Sequence, residues 1–222
     1  MINRLKNASL FYIPYLILFG LSVVFYFYQS HGDFVIWLNS LHNPVWDIFF
    51  KYWTHTGSVY FFTAICILLI FLNRRFGFIL ALIGISVLTI SLFFKFILFP
   101  EAPRPIIYFE PGLLHIVSGV DVLSMNSFPS GHAMAAFALG AFMSLMLQSN
   151  NYSSMFLIGA SLTALSRIYL SQHFLIDVMA GSLIGVIMAT GLYIYFEKYL
   201  NRENLGNDNT PDEDLEAMDL ND

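Results

Sequence analysis

The sequence predicts an all-α polytopic membrane protein with six transmembrane helices and an interfacial helical segment on the outer face between the first two. Composition is the first reason: of 222 residues, 57% are apolar and only 11% charged, whereas about a quarter of a soluble domain is charged. The second is that six segments approach the roughly 20 mostly apolar residues a bilayer-spanning helix needs, at about 9–28, 57–73, 76–99, 129–148, 153–170 and 174–197. The third is the way the basic residues sort between the loops.

The opening "MINRLKNASLFYIPYLILFGLSVVFYFY" has the basic-then-apolar order of a signal peptide, but its apolar run is too long and lacks a small-residue cleavage site. It reads as an uncleaved first span. "GDFVIWLNSLHNPVWDIFFKYWTHTGS" then mixes Trp and other aromatics with polar residues around an Asn-Pro break, which suits an interfacial amphipathic helix pair. Cys66, the only cysteine, lies within the second span, so no intrachain disulfide can form.

Arg4, Lys6, Arg74, Arg75, Lys198 and Arg202 fall on one side of a six-span layout. Short basic loops stay in the cytoplasm, so both termini are expected inside. Lys51, Lys95, Arg104 and Arg167 fall on the other side. Eight of the fifteen acids follow residue 200. Residues 1–200 therefore read as one membrane domain, and 201–222 as an acidic, disordered, solubilising cytoplasmic tail.

Ionisable residues at membrane depth or at helix mouths are costly and mark functional candidates. Three clusters stand at the outer ends of spans three to six. In "KFILFPEAPRP", a proline-studded turn follows Lys95 and holds Arg104, and an arginine suits bidentate binding of phosphate oxygens. On its own this pair reads first as a headgroup anchor, the usual role of basic residues at a span end. In "PSGH", Pro129 suits the first turn of a helix, while Ser130 and Gly131 offer a hydroxyl and N–H groups at its positive end, with His132 beside them. A capping turn explains this stretch equally well in isolation.

The third cluster is "SRIYLSQHFLID". His173 and Asp177 are four residues apart, about 40° around a helix, so the carboxylate reaches the imidazole. Arg167 would lie about 120° from His173 on a continuous helix. A break near 170–172 is needed to bring both to one site. A metal half-site is the alternative for the His-Asp pair, but no HExxH motif, Cys cluster or group of acids accompanies it. Two arginines, a lysine, a helix N-terminus and two histidines on one face describe a site for a phosphate that is attacked and released.

With these residues in hand, the sequence resembles the type-2 phosphatidic acid phosphatase superfamily, the membrane lipid phosphate phosphatases related to vanadium haloperoxidases. "PSGH" at 129–132 and "SRIYLSQHFLID" match two of that family's signatures without gaps. The first departs: eight residues separate Lys95 from Arg104 where the family has six, and "FPEAP" is the turn in which two extra residues can be absorbed.

The resemblance implies a metal- and cofactor-independent phosphohydrolase acting through a phosphohistidine. By that analogy His173 is the nucleophile, Asp177 orients its ring, and His132 protonates the leaving oxygen and later activates water. Lys95, Arg104, Ser130, Gly131 and Arg167 hold the phosphoryl oxygens, Pro129 shapes the turn and Ser166 supports the arginine. His31, His42, His55 and His115 match no signature and read as interfacial or loop residues.

The substrate implied is a lipid phosphate or diphosphate of the phosphatidylglycerophosphate, phosphatidic acid, polyprenyl diphosphate or lipid A type, met in the bilayer without any nucleic acid partner. The setting is a plasma membrane, the inner membrane in a bacterium, with the active site on the periplasmic or outer face. Transfer to another acceptor through the same intermediate, and a non-catalytic anion-binding or transport role, remain open at this point.

Overall fold

Helices account for every regular element in the computed structural model, which describes residues 2–206 and the side chains of residues 4–197; no strand occurs among them. A short α1 (Ile2–Asn7) leads through Ala8 into α2 (Ser9–Tyr28). The segment read as an interfacial pair forms α3 (Asp33–Ser40), α4 (Pro44–Trp53) and a 3₁₀ turn, Thr54–Gly57. Then come α5 (Val59–Leu72), α6 (Arg74–Phe93) continued by a π turn (Phe94–Leu98), the single turn α7 (Pro105–Tyr108), α8 (Gly131–Leu147), α9 (Asn150–Tyr169) and α10 (Leu175–Gly206).

Local chemistry sets several of these starts. Asn43 caps α4 by accepting from the Val45 and Trp46 N–H groups at 3.0 and 3.1 Å, with Pro44 in the first turn. Ser58 and Asn73 cap α5 and α6 in the same way. Pro129, expected in the first turn of α8, precedes it: Ser130 is the N-cap and Gly131 the first helical residue.

Six helices thus fall on the six apolar segments. By length and composition, however, three are sufficient to cross a membrane: Ser9–Tyr28, Arg74–Leu98 and Leu175–Glu197. A fourth arises if Pro44–Gly57 and Val59–Leu72, bent by 52°, form one broken span. Helix α8 has only 17 residues, and α9 dilutes its apolar residues with Asn150, Asn151, Ser153, Ser154, Ser161, Thr163 and Ser166.

The core is built around α8, whose residues from Ala133 to Phe142 are all buried. Its small side chains let α10 come close: a Cβ on Gly181 would stand 2.5 Å from the Ser130 carbonyl oxygen, so only glycine fits there. That contact fixes the start of α8, and with it the polar stretch 126–132, against the first turns of α10. Helix α10 stays helical to Gly206; the acidic tail expected from 201 lies outside the described residues from 207 on.

Candidate active site

The break needed between Arg167 and His173 is present. Helix α9 ends at Tyr169, Ser171 turns with a left-handed φ of 56°, and α10 begins at Leu175. The Gln172 and His173 N–H groups both fold back onto the Arg167 carbonyl, at 2.9 and 3.2 Å. This reverse turn carries His173 to the Arg167 side of the bundle, which a continuous helix would not do.

His173 and Asp177 meet across the start of α10 rather than along a helix face, because His173 lies before the helix. Asp177 Oδ2 stands 3.4 Å from His173 Nδ1 and accepts from the Phe174 N–H at 2.9 Å. It also accepts from the Ser127 hydroxyl at 2.5 Å, and Ser127 Oγ is itself 3.4 Å from His173 Nδ1. All three residues are buried, none more than 3% exposed. The carboxylate side of the ring is therefore Nδ1, leaving Nε2 to face the other way.

Opposite Nε2 stands Arg104, with Nη1 at 3.5 Å. The arginine is held by three carbonyls: Nε donates to Met125 O at 2.9 Å, Nη1 to Gln172 O at 3.0 Å and Nη2 to Asn126 O at 3.4 Å. Gln172 Oε1 accepts as well, at 3.2 Å. Arg167 is anchored by Thr54, whose Oγ1 accepts from Nη1 at 2.6 Å, while its buried Nε has no hydrogen-bond partner. A buried cationic donor without an acceptor is costly, and an anion beside it would complete the arrangement.

Lys95 reaches this cluster despite the lengthened spacing. A Cβ on Gly131 would lie 3.2 Å from Ser91 Oγ and 3.9 Å from Lys95 Nζ, so the missing side chain is what lets the ammonium approach the start of α8. A π turn over Phe94–Leu98 carries Lys95 at the end of α6. Asn126, at φ 58°, ties that turn to the next by donating to Lys95 O at 2.9 Å and Pro100 O at 3.2 Å. Lys95, Arg104, Gly131 and His132 then line one cavity of about 790 Å³.

Burial first, and then the positive charges of Arg104, Arg167 and Lys95, hold the His173 ring well below the usual imidazole range. The ring is neutral at physiological pH, so its Nε2 can carry a free lone pair. Three cations, one neutral imidazole backed by a carboxylate, and a helix N-terminus make an arrangement that can bind a phosphoryl group and attack it.

Two supporting roles differ from expectation. Ser166 donates to Thr163 O at 2.6 Å, within its own helix, and Thr54 is the side chain that supports Arg167. The Ser130 hydroxyl accepts from Ala133 N at 3.4 Å as a cap. Ser127, Thr54, Gln172 and Asn126 were not singled out in the sequence; Gln172 sits within "SRIYLSQHFLID", and Asn126 and Ser127 lie just before "PSGH". The remaining histidines stand outside the cluster: His115 bonds Asp47 at 2.9 Å with His42 stacked on it, while His31, packed on Phe174, and His55, exposed in the 3₁₀ turn, lie at its border.

Known proteins share this arrangement of helices. Over 160 residues the chain is 26% identical to the lipid A 4'-phosphatase of Bacteroides thetaiotaomicron, covering 68% of this chain and 70% of that one. The crystal structure of Aquifex aeolicus LpxE superposes with a TM-score of 0.60 at 24% identity, over 74% of this chain and 95% of that one. The crystal structure of the first transmembrane PAP2-type phosphatidylglycerolphosphate phosphatase, from Bacillus subtilis, gives 0.58 at 23% identity, over 87% and 97%. These two structural likenesses speak to the fold. The sequence pattern of the PAP2 superfamily matches residues 74–200, more than half of the chain and a range containing all three polar clusters, and the chain belongs to that superfamily.

Proposed function

We propose that this protein is an integral membrane phosphohydrolase that removes phosphate from a lipid phosphate or diphosphate through a phosphohistidine, without metal. The observation that carries the reading is the cluster of Lys95, Arg104 and Arg167 around the neutral ring of His173, beside a cavity whose head is lined by Lys95, Arg104 and His132 and whose remaining walls are mostly apolar. An anion fits the head and hydrocarbon fits the rest.

In the first step the His173 Nε2 lone pair attacks phosphorus in line with the leaving oxygen, and the P–O bond to the lipid breaks. His132, on the wall of the same cavity, gives its proton to that oxygen. Asp177, held by Ser127 and the Phe174 N–H, steadies the positive charge that the His173 ring acquires. In the second step His132 takes a proton from water, whose oxygen attacks the phosphohistidine and returns His173 to its resting state. Lys95, Arg104, Arg167 and the N–H groups at the start of α8 stabilise the charge on the equatorial oxygens throughout.

The layout that goes with this reading has six spans, both termini in the cytoplasm, and α3 and α4 lying on the outer face beside the site, in the plasma or bacterial inner membrane. The lipid reaches the site sideways from the outer leaflet. Likeness to a lipid A 4'-phosphatase favours a lipid A type phosphate among the candidate substrates. The test is phosphate release by purified protein from a panel of lipid phosphates and diphosphates in the presence of chelator. Release without metal is expected, with His173→Ala folded but inactive; turnover retained in that variant refutes the nucleophile, and turnover abolished by chelator refutes metal independence.

A further inference from the structure

The 790 Å³ cavity is not confined to the cation cluster. From Lys95 and Arg104 it continues between α5 and α6 past Phe62, Cys66 and Gly84 to Ile70 and Ala81. Beyond that point the two helices touch: a Cβ on Gly77 would stand 2.5 Å from Ile70 N and 2.6 Å from Ile70 Cα. The cleft therefore has a cationic head, an apolar body and a closed foot. Along one side it is flanked by exposed Ile67, Ile85 and Leu88, so a molecule can slide in laterally.

We propose that this cleft holds one hydrocarbon chain of the phosphorylated substrate and that the Ile70–Gly77 contact sets the chain length it accepts. The inference rests on the lipid-phosphate reading above. An amphiphile with an anionic head and an apolar tail complements both the charge at Lys95 and Arg104 and the walls below them. From Lys95 to Ala81 is about 14 residues, or about 21 Å of helix at 1.5 Å per residue. A methylene advances about 1.25 Å, given a C–C bond of ~1.5 Å and an angle of ~111°, so the cleft takes roughly 16 carbons. Gly84 marks an intermediate depth of about 16 Å, or roughly 13 carbons. A Cβ there would lie 2.7 Å from Phe62 Cε1, so a larger side chain has to project into the cleft.

The test uses n-alkylphosphonates of eight to twenty carbons, which bind without being hydrolysed, titrated into the purified full-length protein in detergent by calorimetry. Comparing variant with wild type at each chain length cancels partitioning of the probe into detergent. Wild-type affinity is expected to level off near roughly 16 carbons. For Gly84→Leu it should level off near roughly 13, so the wild-type to variant affinity ratio climbs about fiftyfold between the shortest and longest probes, from roughly three methylenes at ~0.8 kcal/mol each. Ala81→Phe, at the foot, should move the break by about two carbons, and serves if Gly84→Leu does not fold.

A ratio independent of chain length overturns the inference, as does a wild-type affinity that rises evenly through twenty carbons. Phosphate release from matching alkyl phosphates is measured alongside. A chain-length break without any release refutes the phosphatase reading and keeps the cleft; release without a break refutes the cleft alone.

Discussion

Ser127→Ala removes one hydroxyl that lies on the Asp177 side of the His173 ring, and it is expected to slow the reaction. The Ser127 hydroxyl donates to Asp177 Oδ2 at 2.5 Å, and among the described residues the other donors within reach of that oxygen are the Phe174 N–H and the His173 ring. A hydrogen bond to a charged group is worth about 1.5–3 kcal/mol. If that support is needed chiefly when the imidazole becomes cationic, its loss appears in the barrier, at a factor of ten per ~1.4 kcal/mol. The expected fall in kcat is therefore about tenfold to a hundredfold, with KM little changed. The assay is phosphate release from a lipid phosphate that the wild type hydrolyses, with size-exclusion chromatography and circular dichroism to establish the fold. The deciding comparison is a double-mutant cycle with Asp177→Asn: a serine acting through the carboxylate costs little once the carboxylate is gone. Equal losses in both backgrounds, or a rise in KM with kcat intact, would refute the argument.

Other perturbations separate the remaining parts. His173 resists protonation because of burial and its cationic neighbours; its folded value lies below that of a free imidazole, about 6.5, so the attacking neutral form persists as pH falls through that range. The acid limb of kcat/KM should lie below about pH 6.5 and move upward in Arg104→Gln, which removes a positive neighbour; a limb that stays or moves down contradicts the assignment. The same depressed value gives stability that is present above the free imidazole range and lost as pH falls through the folded one, so Tm should decline on acidification less in His173→Ala than in wild type. Lys95→Ala should raise KM about tenfold, corresponding to ~1.4 kcal/mol, with unchanged kinetics showing that the ammonium does not serve the phosphate. Single cysteines at Asn73 and Gly119, introduced after replacing Cys66, should react with impermeant reagent from opposite sides of the membrane; labelling from one side would overturn the topology.

What the sequence disclosed and what it concealed divide by distance along the chain. The break after Tyr169 was legible because helical geometry alone placed Arg167 and His173 on different faces, so a shared site demanded a turn. Gly131 and His132 were legible because they open a helix. Thr54 was not: it is 113 residues from Arg167, and a threonine in a short polar turn has no pattern that distinguishes it from a cap. Ser127 is 50 residues from Asp177 and was overshadowed by its neighbour Ser130, the more obvious anion ligand by position. The six helices followed from apolar length, but their crossing of the bilayer did not: α8 is short for a span and packed into the core, and α9 is studded with serine and asparagine.

The lengthened first signature shows how such a site tolerates insertion. Two additional residues between Lys95 and Arg104 would displace the ammonium if the chain stayed an α-helix followed by the same turn. Instead the helix widens to a π turn over Phe94–Leu98, and its loosened carbonyl at Lys95 finds a donor in the Asn126 side chain. Asn126 lies in the same stretch whose carbonyls, at Met125 and Asn126, hold the Arg104 guanidinium. One short segment, directly before the start of α8, thereby positions both cations against the helix N-terminus that faces them.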